Sequence, residues 1–265
     1  MPTDRTDRTL RINLNADLGE GFGPWQMGDD AAMLEIVASA NIACGGHAGD
    51  PDVMRRTVRL AKERRVSIGA HPGYPDLQGF GRRALTYSAA ELENQVAFQV
   101  GALAGIAALE DAHVTHVKPH GALNNLACVD RGVADTVCRA IRAVDRTLIL
   151  LAPAASQLIV AGSAANLAVV EEIFADRAYL PDGQLVPRAR ADAMIHGPAA
   201  CLAHVLAMLE ANALIAVDGT RIATAIGSVC VHGDGPGAVE VARHLREQLA
   251  ARGYGILPLP EMAAR

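Results

Sequence analysis

Histidines sit where short aliphatic runs end. His47 follows ANIACGG, His71 closes VSIGAH, His120 follows HVKP and His232 follows SVCV, so four of the nine histidines mark such exits. A turn that needed only a helix cap would draw Ser, Thr, Asn or Asp. An imidazole at the same place brings a group that titrates near neutral pH or binds a metal. Acids, amides and cations keep it company: Asn15, Asp17 and Glu20 beyond the first run, Asp50 after His47, and Lys118 beside His120. Glu172 follows with Asp176 and Arg177, and Asp234 comes after His232. Together they suggest one shared pocket.

Two chemistries suit this set. Asp17 with His47 and His71 would serve as nitrogen and oxygen ligands for a divalent metal that activates water. The same residues would serve equally as acid/base pairs, and with no H-E-x-x-H in the chain the spacing does not choose. Lys118 and His120 are one residue apart, so on an extended chain their side chains share a face. There the lysine could hold a carboxylate or phosphate while the histidine moves a proton. Arg188 is a further anion-binding candidate, with Arg82, Arg83 and Arg177, because a guanidinium forms a bidentate clamp.

Plainer readings compete. Asp50 stands directly before Pro51 and could be a helix cap alone. His116, in the alternating VTHVK, reads as a hydrogen-bonded strand residue, and His113, His204 and His244 fall on loop or helix surfaces by their spacing.

The elements that would position these groups are legible from aliphatic runs: Leu10 to Leu14, Ala40 to Ala43, Val66 to Ala70, Val114 to Lys118, Leu148 to Leu151, Leu167 to Ile173 and Ala223 to Val231. Seven strands alternate with helical spacing, the pattern of β-α units around a parallel sheet. Helix starts are written at Asp50-Pro51, at the Ser88/Glu91 capping box, at Asp130, at Pro198 and at Pro236, and Gly253 closes the last helix. In a parallel barrel all the strand exits lie on one face, where active sites form. The segment from Phe174 to Ala193, rich in Pro and Gly, reads as a long loop over one end.

With 265 residues, the chain suits a single α/β barrel domain over 1–265, with 1–9 a loose lead-in that lacks the apolar core of a signal peptide. The formal charge of −5 leaves no basic footprint for nucleic acid. The apolar stretch from Leu148 to Val170 is interrupted by Pro153, Gln157 and Asn166 and reads as a strand and a short helix, so no membrane partner is expected. Five cysteines without a C-x-x-C pair fit reduced thiols in the cytoplasm. Phosphate-binding G-x-x-x-x-G-K-[ST], dinucleotide G-x-G-x-x-G and nucleophile-elbow G-x-S-x-G patterns are all missing.

The stretches NADLGEGFG, SANIACGGHAGDP, GAHPGYPDLQGFGRR, VKPHGAL, EEIFADRAY, LVPR and VCVHGDGP, in this order from about Ile12 to Pro258, resemble the LamB/YcsF family of 5-oxoprolinase A subunits. The resemblance implies an irregular seven-stranded β/α (TIM-like) barrel of the glycoside hydrolase/deacetylase type. It implies ATP-dependent opening of the lactam ring of 5-oxo-L-proline, with Mg as the counter-ion of ATP, and partner subunits B and C. Gly46, Asn124 and Gly235 stand where the family commonly has Phe, Tyr and Thr, which bears on the shape of the pocket. On this reading Lys118 and Arg188 take anions, Asp17 with His71 supplies the base, and His47, His120 and His232 move or position protons. Asn15, Glu20, Asp50, Glu172 and Asp234 complete the expected binding set. Two other readings stay open: a metal-dependent deacetylase of a small or sugar amide, and a subunit that binds 5-oxoproline without catalysis. A homo-oligomer is compatible with all of them.

Overall fold

Alternating aliphatic strands and capped helices fold, in a computed structural model that describes residues 10–232 and 237–263, into a closed parallel barrel wrapped by helices. The strands are β1 (Leu10–Leu18), β2 (Ser39–Ala43), β3 (Ser67–His71), β4 (Val114–Val117), β5 (Ile149–Pro153), β6 (Ala168–Phe174), β7 (Ala213–Ile215), β8 (Arg221–Ala223), β9 (Ile226–Cys230) and β10 (Tyr254–Ile256). β1 to β6 and β9 pair in parallel, and β9 returns to β1 to close a seven-stranded ring. Register slips between Ile68 and Gly69 and between Glu171 and Glu172 make the ring irregular. The seven runs read from sequence are these seven strands.

Three differences have physical causes. β1 continues to Leu18, so Asn13, Asn15 and Asp17 lie within the strand rather than after it. They alternate with Ile12, Leu14, Ala16 and Leu18, and polar residues tolerate the barrel interior because they bond to one another. β7 and β8 form a short antiparallel hairpin outside the barrel. β10 pairs with the first half of β1, and its three residues are too few for periodicity to reveal.

Helices cover the ring: α1 (Asp30–Leu34), α2 (Pro51–Glu63), α3 (Ala89–Ala108), α4 (Gly121–Val129), α5 (Arg131–Val144), α6 (Gln157–Ala164), α7 (Pro198–Ala211), α8 (Ala238–Ala251) and α9 (Leu259–Ala263). Asp50 and Asp130 cap α2 and α5, and Ser88 and Glu91 complete the capping box of α3. Gly253, at φ +86°, follows α8, but the short α9 comes after it. The expected start at Pro236 and the lead-in at 1–9 lie outside the described residues. No helix among the described residues is long and apolar enough to cross a membrane.

The N-terminal end of the barrel is plugged. Leu259 is fully buried with Ile149, Leu151 and Val170, its N–H donates to Ser39 Oγ, and Asn13 Nδ2 donates to the carbonyl of Leu257. Above this plug, side chains of Asn13, Asn15, Asn41, Ser228 and His116 form a hydrogen-bonded floor inside the ring. Access is therefore from the other end, where the strands terminate.

Candidate functional site

At the C-terminal ends of the strands lies a cavity of about 690 Å³. β1 gives it Asp17, the β1 exit gives Glu20, β3 gives His71, and the β4 exit gives Lys118 and His120. β6 ends in Phe174, and His232 follows β9. The segment after β6 arches over one side with Arg177, Tyr179, Leu185 and Arg188, as the Pro/Gly-rich sequence suggested. Tyr179 pins that arch, since its buried hydroxyl accepts from the Phe174 N–H at 2.8 Å.

Asp17 is the best-connected group. Its Oδ1 accepts from Asn41 Nδ2 at 2.9 Å and from Lys118 Nζ at 3.0 Å, and Oδ2 lies 3.4 Å from His71 Nε2. Burial opposes its charge, but His71 and Lys118 outweigh burial and hold the carboxyl well below the usual range. It stays an anion. Lys118, 2% exposed, also reaches Cys230 Sγ at 3.0 Å and lies 3.3 Å from Glu172 Oε2. Burial works against that ammonium too, yet Asp17 and its neighbours raise its pKa. The sequence suggested Lys118 as a holder of ligand anions; the anions it holds are the protein's own.

Beside this group, His232 Nδ1 stands 2.8 Å from Asp176 Oδ1. Burial pulls the imidazole down, Asp176 pulls it up, and the net shift is upward. One donor atom from each of Asp17, Cys230 and His232 lies within 4.8 Å of the others, so an anionic carboxylate and a readily protonated imidazole share one wall.

A second cluster joins Glu20, His47, His71 and His120. His47 Nε2 is 3.0 Å from Glu20 Oε1, His120 Nδ1 is 3.0 Å from His71 Nε2, and the His47 and His120 rings stack at 3.5 Å. The metal set read from sequence paired His47 and His71 with Asp17. The structure adds Glu20 and His120 to those imidazoles, while Asp17, which reaches His71, groups with Cys230 and His232.

Several expected residues lie elsewhere. Asp50 does not line the cavity: Oδ1 accepts the N–H groups of Asp52 and Val53 at the start of α2, and Oδ2 accepts that of Gly23. It is the cap that its place before Pro51 suggested. Asn15 and Glu172 are fully buried beneath the cavity, where Asn15 Nδ2 donates to Glu172 Oε2 at 3.3 Å. Both contact Lys118 from beneath, and neither lines the cavity. Arg83 is engaged with Asp76, and Asp234 lies outside the described residues. His116 is a floor residue, its Nε2 3.1 Å from Asn41 Oδ1, and burial pushes its pKa down to about 3. His204, expected on a surface, is half-buried and donates to the carbonyl of Arg177.

Three guanidiniums, Arg82, Arg177 and Arg188, line the cavity. Arg177 is only 6% exposed, its Nε finds no partner in the protein, and burial followed by Arg188 lowers its pKa to about 10. Asn124 lines the same cavity with an unpartnered buried Oδ1. At Gly46 a Cβ would meet Gln99 Oε1 and the Gly73 carbonyl, because the Gln99 amide fills that space and bonds both ways to Gly73. Residues that sequence reasoning missed are Asn41, Phe80, Phe174 and Cys230. Only Asn41 left a signal, an amide between the apolar Ala40 and Ile42 of SANIA.

A model of the LamB/YcsF family matches residues 12–264. A protein from Azoarcus sp. (strain BH72), named as the A subunit of 5-oxoprolinase, is 58% identical over 96% of this chain and 99% of its own length. Another of that name from Rhodopseudomonas palustris (strain BisB18) is 55% identical over 93% of this chain and 97% of its own. The crystal structure of a lactam utilization protein from Thermus thermophilus superposes with a TM-score of 0.88 at 40% identity, covering 94% of this chain and 99% of that one. The chain belongs to the LamB/YcsF family.

Proposed function

We propose that the protein is the A subunit of an ATP-dependent 5-oxoprolinase, and that its cavity opens the lactam ring of 5-oxo-L-proline to give L-glutamate. The observation that carries this reading is the pairing of anionic Asp17 with the Asp176-supported His232 on one wall of the strand-end cavity. The names of the relatives at 55–58% identity point the same way.

A lactam resists water because its carbonyl is a weak electrophile and its nitrogen a poor leaving group. Phosphorylation of the amide oxygen by ATP answers the first difficulty. Water then adds to the ring carbon, the C–N bond breaks as the nitrogen takes a proton, and the resulting acyl phosphate is hydrolysed to glutamate and phosphate. We assign Asp17 to take the proton of the water and His232 to give one to the departing nitrogen. Arg177 and Arg188 suit the substrate carboxylate or a phosphoryl group. With no phosphate-binding loop in the sequence, we place the nucleotide and its Mg on partner subunits B and C, with this chain in a cytoplasmic complex.

The test is 5-oxoproline-dependent phosphate release by the reconstituted subunits, with and without this chain. Release and glutamate formation should require it, and Arg188→Ala should raise KM more than it lowers kcat. Glutamate formed at the same rate without this chain would overturn the reading. A subunit that only delivers substrate would instead lose affinity on cavity mutation with kcat unchanged.

A further inference from the structure

We propose that Glu20, His71 and His120 bind one divalent first-row cation of the zinc type, and that His47 holds Glu20 in position for it.

The argument begins with hydrogens. His71 Nδ1 lies 2.7 Å from the carbonyl oxygen of Lys118, and His120 Nε2 lies 2.9 Å from that of Phe80. A carbonyl only accepts, so each of these nitrogens carries its hydrogen. In a neutral ring the other nitrogen then bears a lone pair, and those two nitrogens, His71 Nε2 and His120 Nδ1, stand 3.0 Å apart. Two lone pairs at that distance, with Asp17 Oδ2 also 3.4 Å from His71 Nε2, repel unless a proton or a metal ion lies among them. A backbone carbonyl fixing the outer N–H of an imidazole is also the usual support of a metal-binding histidine.

The spacing fits an ion. Zinc with bonds of about 2.0–2.1 Å in tetrahedral geometry sets its ligand atoms about 3.3 Å from one another. The separation of 3.0 Å between the two ring nitrogens and that of 3.5 Å from His120 Nδ1 to Glu20 Oε1 bracket this value. The His71 and His120 rings cross at 85°, which lets two in-plane lone pairs meet at one point. His47 differs: its ring is parallel to that of His120 within 6°, so its lone pair runs alongside rather than converging. From there His47 Nε2, 3.0 Å from Glu20 Oε1, serves as a donor that orients the carboxylate.

Two imidazoles and one carboxylate suit zinc or cobalt better than magnesium or calcium, which prefer oxygen alone. Glu20, His71 and His120 all line the cavity, leaving a fourth position open to a water or a ligand oxygen. The site does not depend on the lactam reading, and its test is spectroscopic, so either can fail without the other.

The full-length protein, freed of metal by a chelator, is titrated with Co²⁺. One Co²⁺ per chain with the visible bands of a four-coordinate ion is expected, displaced by one equivalent of Zn²⁺. Glu20→Ala and His120→Ala should bind at least about 100-fold more weakly. His47→Ala should lose about 10- to 100-fold in affinity with the band positions unchanged, as for a residue that orients a ligand. Exposed His113→Ala should bind as the parent does. No stoichiometric uptake by the parent, which means the two imidazoles share only a proton, overturns the proposal whatever the variants do. Equal binding by the parent and His120→Ala, or bands that move in His47→Ala, would also contradict it.

Discussion

Lys118 and His232 show how a single side chain decides whether the cavity works. The ammonium of Lys118 is buried against Asp17 and Glu172, so Lys118→Met would leave two buried carboxylates without their counter-ion. Removing one partner of a buried pair costs about 3–5 kcal/mol, and the denaturant midpoint should fall accordingly, with the slope unchanged. His232 makes a prediction about pH. Its pKa is raised above the usual 6.5, so the protonated acid persists to higher pH than a free imidazole would. The ion pair with Asp176 stabilises the fold fully below the unfolded value and is lost as pH rises through the folded one. The alkaline limb of kcat/KM should follow the same folded pKa. Asp176→Asn should move that limb to lower pH, and an unmoved limb would remove His232 as the acid. From the sequence, the imidazoles at strand exits were legible by type and position. The partner that tunes each one was not, because Asp176 and His232, like Asn41 and Asp17, are joined only by strand pairing.

At the scale of elements, β3 and β4 carry the closest fit. Gly69 faces the interior, and a Cβ there would collide with the His116 ring at Nε2. Gly69→Ala should therefore displace that ring or the strand, at about 1–3 kcal/mol, read as a lowered melting temperature. Ser88→Ala on α3 removes a capping box whose hydroxyl accepts from the Glu91 N–H, and should cost about 1 kcal/mol without touching the cavity. Caps and barrel strands could be read from sequence because each is a local pattern: Asp50-Pro51, S-x-x-E, or a run of aliphatics. β1 was cut short at Leu14 because the rule that finds strands by apolar runs fails where a barrel is lined with hydrogen-bonded amides. The β7–β8 hairpin and β10 were missed because three residues carry no period.

For the molecule as a whole, the closed ring turns distant segments into neighbours: Asp17, His71, His120 and His232 come from four separate strand ends and meet in one cavity. The alternation of strands and helices was enough to expect that convergence, since parallel closure sends every exit to one face. It was not enough to say which groups would pair: Glu20 meets His47 and His120, while Asp17 reaches His71. The central claim, that Asp17 acts as the base at the lactam carbon, is tested most directly by glutamate formation from 5-oxoproline in the reconstituted complex with Asp17→Asn. The account predicts a fall in kcat of about 10²–10⁴-fold, measured on the folded variant below its melting temperature, which should itself drop because Lys118 loses a buried partner; a variant that turns over at the parental rate would contradict it.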